Sequence, residues 1–419
     1  MHRRQFMHHS ALAAAALAAS SLAPTRARAR PLAVEGDDAA FWRSVEASFA
    51  PAPDFLNLEY GYFCPSPQPV LEADVREARR IVTRGSHYMR NERRDAYEAS
   101  VQALADLAGA SREEVVITRN TTESMNIILQ GIDLSPGDEV VYSNQDYGSM
   151  VQAIRQRTER GGIVPKQVDL PLHPAGDAEI VGRFEAAITP RTRLLHVTHM
   201  INLTGQVLPV REICAMARAR GVEVAVDAAH SFAHIDFAIR DLDCDYLGTS
   251  LHKWLCAPLG LGMLYVKQDK IDRLWPLMGD MTRDPGDIRK FERMGTRPDQ
   301  HVIALREAIR FHREIGAGRK EARLRLLHRR WADAVREWPR IVLNTPTEPH
   351  RHGAVGNVGI EGVAPVALAD FLAERHRLFT VGVTHPAVRG IRVTPGVPTP
   401  LWHVDRFVEA MDDALRHFA

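Results

Sequence analysis

Val222-Glu223-Val224-Ala225-Val226-Asp227-Ala228-Ala229-His230 and, a short way on, Asp245-Tyr246-Leu247-Gly248-Thr249-Ser250-Leu251-His252-Lys253-Trp254 are the two stretches that decide the fold. The first is an apolar, β-branched run that ends in a carboxylate. The second is a short strand that ends in Ser-x-His-Lys. Continuous apolar runs mark strands buried on both faces, as in parallel sheets. Open α/β sheets bind ligands at the carboxyl ends of their strands, so both polar clusters face one crevice. A carboxylate and a lysine there suit pyridoxal 5'-phosphate (PLP): the lysine condenses with its aldehyde, and the acid partners its pyridinium nitrogen.

Outward from this centre, strands alternate with helices. Strands are expected at 115–118, 139–142, 194–197 and 262–266, and helices at 69–82, 93–108, 120–129, 150–159 and 210–220. Apolar residues such as Val101, Leu104 and Leu107 recur at helical spacing. The alternation implies a mostly parallel sheet with right-handed crossovers. After Gly295 the pattern changes to long helices near 300–315 and 319–338. Short strands follow at 340–343, 356–360 and 390–394, with helices at 365–376 and 401–418. The expected organisation is an N-terminal segment (30–65), a large α/β domain (66–297) and a small C-terminal α+β domain (298–419).

The 419 residues, 45% of them hydrophobic, suffice for a large core. The net charge of +1 leaves no basic footprint for a nucleic acid. Residues 1–29 carry Arg3, Arg4, Arg26 and Arg28 and no acid, then an Ala/Leu run at 10–23 and a small-x-small site, Ala27-Arg28-Ala29. That is the build of a signal peptide. Arg3-Arg4-Gln5-Phe6-Met7 resembles a twin-arginine signal, so a periplasmic or secreted protein without stable membrane association is expected. The four cysteines, Cys64, Cys214, Cys244 and Cys256, show no metal-ligand spacing, and no metal is expected.

Asp-Ala-Ala-His followed by Ser-Leu-His-Lys resembles the class V aminotransferases, a superfamily that includes cysteine desulfurases and isopenicillin N epimerase-like enzymes. The resemblance runs from about Phe55 to the C-terminus and implies a fold-type I PLP-dependent transferase. It makes Lys253 the lysine that holds the cofactor, Asp227 the partner of the pyridine nitrogen, and His230 a contact of the cofactor or substrate. Thr121 and Thr122 match a phosphate cup at a helix start, where free N–H groups favour an anion; by themselves they also read as a helix cap. Ser250 and His252 match phosphate contacts too. Tyr147 matches a ring that stacks on the cofactor, and Asn202 an asparagine near its hydroxyl. Gly295-Thr296 matches a pair that reaches the neighbouring subunit's phosphate, which implies a homodimer. Arg392 matches the arginine that takes the substrate carboxylate, a bidentate role suited to its planar fork. Tyr60, Arg84 and His87 fall in segments that line the entrance in relatives.

In desulfurases the nucleophilic cysteine precedes that arginine; here the stretch Thr380–Arg389 has none. The expected activity is chemistry at the Cα of an amino acid or a peptide-borne amino group, of aminotransferase type. An epimerase or a C–S/β-lyase is the alternative, and a PLP-fold binding module the non-enzymatic one. A nucleotide-binding α/β protein is disfavoured, because no Gly-x-Gly-x-x-Gly or Walker pattern follows a strand.

Overall fold

The computed structural model describes residues 38–419; the segment read as a signal, 1–29, lies outside them. Among the described residues the strands form three sheets of seven, four and two strands. The strands of the largest are β2 (Val115–Thr118), β3 (Glu139–Ser143), β4 (Val164–Val168), β5 (Thr192–Thr198), β6 (Glu223–Asp227), β7 (Tyr246–Ser250) and β8 (Gly262–Val266); a short β1 (Leu56–Asn57) precedes them. Their order is β2-β8-β7-β6-β5-β3-β4.

Strands β4, β3, β5, β6 and β7 are mutually parallel, whereas β8 runs antiparallel to both neighbours. The chain between β7 and β8 holds no helix to carry a crossover, so it folds straight back. Every residue of β6, β7 and β8 is buried. Alternate side chains enter opposite cores: Val224 and Val226 one, Ala225 the other. Each buried valine contributes roughly 1.5–3 kcal/mol relative to exposure. With both faces covered, the polar residues that end β5, β6 and β7 converge at one edge of the sheet.

The C-terminal part builds a four-stranded antiparallel sheet from β9 (Ile341–Leu343), β10 (Gly356–Ile360), β12 (Val381–His385) and β13 (Val388–Val393), in the order β12-β13-β10-β9. Helices Ala317–Val335, Pro365–His376 and Leu401–His417 pack on it through Trp331, Leu372 and Phe407. The stretch 380–389, in which no strand is expected from sequence, forms most of a β-hairpin; its outer strand β12 is half exposed and gives no apolar run. β1 pairs in parallel with β11 (Leu378–Phe379), and Glu59 bridges to Thr394. This pairing joins the N-terminal segment to the arginine-bearing strand β13.

Candidate active site

Each main element delivers its polar residue by its own geometry. β6 ends in Asp227, whose Oδ1 accepts from the Ala229 N–H at 2.9 Å in a tight turn that begins the 228–232 stretch. β7 ends in Ser250, and a turn at 251–254 then presents His252 and Lys253. After β2, Asn120 caps the helix Thr121–Gly131 by accepting from the Glu123 N–H. The helix thus begins at the cleft, with Thr121 and Thr122 on its wall. The Thr121 N–H donates to Ser250 Oγ at 2.9 Å, and the two hydroxyls lie 2.7 Å apart. A seryl and a threonyl hydroxyl at a helix N-terminus form an anion cradle.

The cavity so formed is about 320 Å³ and is lined by Thr121, Thr122, Tyr147, Asn202, Asp227, His230, Ser250, His252, Lys253 and Arg392. The structure thus gathers these sequence-predicted residues into one cleft. Thr296 lies elsewhere, in a hollow with Met89, Arg93 and Arg94. Arg84 and His87 also stay outside the lining and pair with Glu92. Tyr60 packs behind it, against the cluster that holds Cys64 and Cys256, while its neighbours Gly61 and Tyr62 form the wall.

At the floor, Lys253 Nζ lies 3.2 Å from His230 Nε2. Trp254 Nε1 donates to His230 Nδ1 at 3.4 Å. His230 is buried, and that burial, with Lys253 and Arg392 close by, holds its ring neutral, well below the ordinary imidazole range. Desolvation brings the Lys253 amine down to about 8, against the pull of Asp227 in the other direction. An amine near neutrality is partly nucleophilic at working pH. Burial likewise raises the Asp227 carboxyl, an effect moderated by His196, the Ala229 N–H and Lys253.

Three features escaped the sequence reading. Glu59, 5% exposed, accepts from Arg392 Nε at 3.1 Å and from its Nη2, and also from Thr394 Oγ1 at 3.0 Å. Arg392 Nη1 donates to the Asn202 carbonyl at 3.2 Å. The guanidinium expected to meet a substrate is therefore held by an acid that the β1–β11 pairing brings across the chain. Thr198, at the end of β5, lines the cleft and donates to Asp146 Oδ1 at 2.6 Å. Arg119, beside the helix start, adds an exposed cation to the rim.

The residues fit PLP. The N-terminal cradle suits its phosphate, the buried Asp227 suits a protonated ring nitrogen, and the half-buried Lys253 amine suits its aldehyde. Asn202 Oδ1, buried and without a partner, faces the same cavity and awaits a donor.

Comparison with known proteins gives the same direction. The family described as Aminotransferase class-V matches residues 64–385. An isopenicillin N epimerase of Streptomyces clavuligerus is 27% identical over 388 residues, spanning 88% of this chain and 98% of that protein. A cysteine desulfurase of Haloferax volcanii is 30% identical over 361 residues, 81% of this chain and 83% of its own length. Among solved structures, the apo cysteine desulfurase of Thermococcus onnurineus NA1 superposes with a TM-score of 0.78 at 24% identity, covering 87% of this chain and 95% of that one, a likeness of fold.

Proposed function

This chain belongs to the class V aminotransferase family of PLP-dependent enzymes, and from that premise we propose that it acts at the Cα of an amino acid or a peptide-borne amino group, with Lys253 as cofactor lysine and proton carrier. The observation that carries this reading is the meeting of Lys253 and Asp227 in one cavity with the Thr121–Ser250 cradle. Bound there, PLP supplies an aldehyde for amines and a ring that takes up the electron pair left when a Cα bond breaks. Asp227 holds a proton at the ring nitrogen. Thr121, Ser250 and His252 hold the phosphate, and Tyr147 covers the ring. The Lys253 amine is placed to remove the Cα proton of a bound substrate and would return it elsewhere. His230, neutral and 3.2 Å away, keeps the lysine amine in place without competing for positive charge. Arg392 meets the substrate's carboxyl end.

Transamination is the reading we favour. Epimerisation is the second: two isopenicillin N epimerases align along 98% of their lengths. Persulfide chemistry fits less well, because the hairpin 381–393 carries no cysteine. A C–S or β-lyase remains the third branch. Thr296 serves a phosphate only if a second copy brings it there, so we propose a homodimer as the active unit. Arg3-Arg4 and the apolar run after it support export by the twin-arginine route to the periplasm or beyond.

The test is borohydride reduction of the PLP-loaded protein, followed by peptide mass spectrometry. A phosphopyridoxyl group on Lys253, and a visible band lost in Lys253→Ala, is the expected result. A label on another lysine, or a protein that stays colourless with added PLP, overturns it. Incubation with candidate amines in heavy water then sorts the branch: a keto product marks transamination, and inverted chirality with solvent deuterium at Cα marks epimerisation.

A further inference from the structure

Two buried thiols that this chemistry does not use lie against the back of the lysine turn. Cys64 and Cys256, 192 positions apart in sequence, bring their sulfurs to 3.2 Å, and each is at most 2% exposed. Their backbones are tied to the turn itself: the Cys64 N–H donates to the His252 carbonyl at 3.2 Å, and the Cys256 N–H to the Lys253 carbonyl at 3.1 Å. Cys256 is held at a left-handed φ of 57°, unusual for a residue with a side chain. Phe41, Trp42, Phe49 and Phe311 close around the pair, so neither sulfur can turn to water.

We propose that Cys64 and Cys256 form a disulfide that clamps the segment 60–64, with its cavity-lining Gly61 and Tyr62, onto the lysine turn 252–256. A disulfide requires the sulfurs to close by only about another 1.2 Å. The chemistry balances with a small-molecule disulfide as oxidant. The Cys256 thiolate attacks one sulfur of that disulfide and expels the first thiolate. The Cys64 thiolate then attacks the mixed disulfide at Cys256 and expels the second. Two protons leave the cysteines, and two external thiols form. In the packed pair, the hydrogen bond with Cys64 and the charge of Lys320 hold Cys256 below the ordinary thiol range. Lys320 is itself buried, anchored on the Trp254 carbonyl. Exchange takes place before the segment packs, since the packed pair is closed to solvent. A link across so long a loop restrains the unfolded chain strongly.

The experiment unfolds the full chain in denaturant, refolds it with PLP in the presence of glutathione disulfide or of a phosphine reductant, then alkylates it in denaturant and digests it for mass spectrometry. The oxidised sample is expected to yield one peptide joining Cys64 to Cys256, two hydrogens lighter than the separate thiols, and the reduced sample two alkylated peptides. The thermal midpoint of the wild type falls by several degrees on reduction, while those of Cys64→Ser and Cys256→Ser do not respond. Alkylation of both cysteines in the oxidised sample, or capture of either by glutathione alone, overturns the proposal. These readouts do not depend on which Cα reaction the enzyme performs.

Discussion

Lys253 is poised by two opposing influences, and each can be removed. Desolvation brings its amine to about 8, while Asp227, Arg392 and Glu59 act on it with opposite signs. The neutral amine is the reactive form, so PLP uptake by the cofactor-free enzyme is expected to accelerate as pH passes about 8 and then level off. Asp227→Asn removes a negative charge that favours the ammonium, so the midpoint moves to lower pH. Glu59→Asn or Gln moves it the same way by less, because Asp227 is the stronger of the two. Stopped-flow rates of uptake against pH decide this, and an unmoved midpoint in Asp227→Asn shows that the carboxylate does not act on the lysine. Glu59 makes a second prediction. Its pairing with Arg392 occupies two faces of the fork, so an incoming carboxylate meets a like charge. Glu59→Gln is expected to bind a probe such as propionate roughly tenfold more tightly, about the strength of one charge-assisted hydrogen bond. It is also expected to lose about 1–3 kcal/mol of stability, because a buried charge keeps a weaker partner. Calorimetric titration of both proteins reads the first effect, and equal affinities overturn the competition.

At the level of elements, the sequence was most legible where one physical signal dominated. The strands 115–118, 223–227 and 262–266 are fully buried, and their apolar runs announced them. The helix Arg93–Ala108 follows its 3.6-residue period and stops at the left-handed Gly109. β4 (Val-Pro-Lys-Gln-Val), by contrast, is an edge strand with an exposed proline, a half-buried lysine and an exposed glutamine, and no pattern marks it. β12 is hidden for the same reason. The direction of β8 depends on what joins it to β7, which apolarity does not encode. Most of the cleft was readable from motifs at strand ends, whereas Glu59 was not: it reaches Arg392 only through the β1–β11 pairing, across 333 positions. One turn shows how tightly elements meet at the site. Gly205 closes the Asn202 turn at a φ of 76°, and a Cβ there would stand 1.9 Å from the Val355 carbonyl oxygen. Gly205→Ala is expected to cost about 2–5 kcal/mol, strain plus displaced backbone. Gly137, with a φ of 89° but open space around it, is the control; Gly137→Ala costs only the conformational part, about 1–2 kcal/mol. Denaturant midpoints of the two variants separate the effects, and equal losses show that the contact with Val355 relaxes freely.

Across the whole molecule, buried imidazoles set the acid limit. Burial is the largest influence on each of six histidines. His199 and His352 fall to about 4, His312 to about 3, and His230, His234 and His328 lie well below the ordinary value. In the unfolded chain each titrates near 6.5. Folded-state values below the unfolded one mean that the stability is fully present above about pH 6.5 and is lost as pH falls toward about 4. One pH unit below 6.5, each such group withdraws on the order of 1.4 kcal/mol. The summed effect of the six groups is comparable to the ~5–15 kcal/mol that holds a typical domain. Burial raises Asp227, Asp245 and Glu46, which take up protons in the fold and offset part of the loss. The denaturation midpoint is therefore expected to be flat above pH 7.5 and to fall steeply between 6.5 and 5. His328 is the site at which to dissect it: its ring lies 4.4 Å from that of His352, so the two cannot both be charged, and its Nδ1 has no partner. His328→Leu should lessen the slope of stability against pH by about 1.4 kcal/mol per unit, the share of one proton. A midpoint that stays level to pH 5, or an unchanged slope in the variant, means that these rings accept protons inside the native fold.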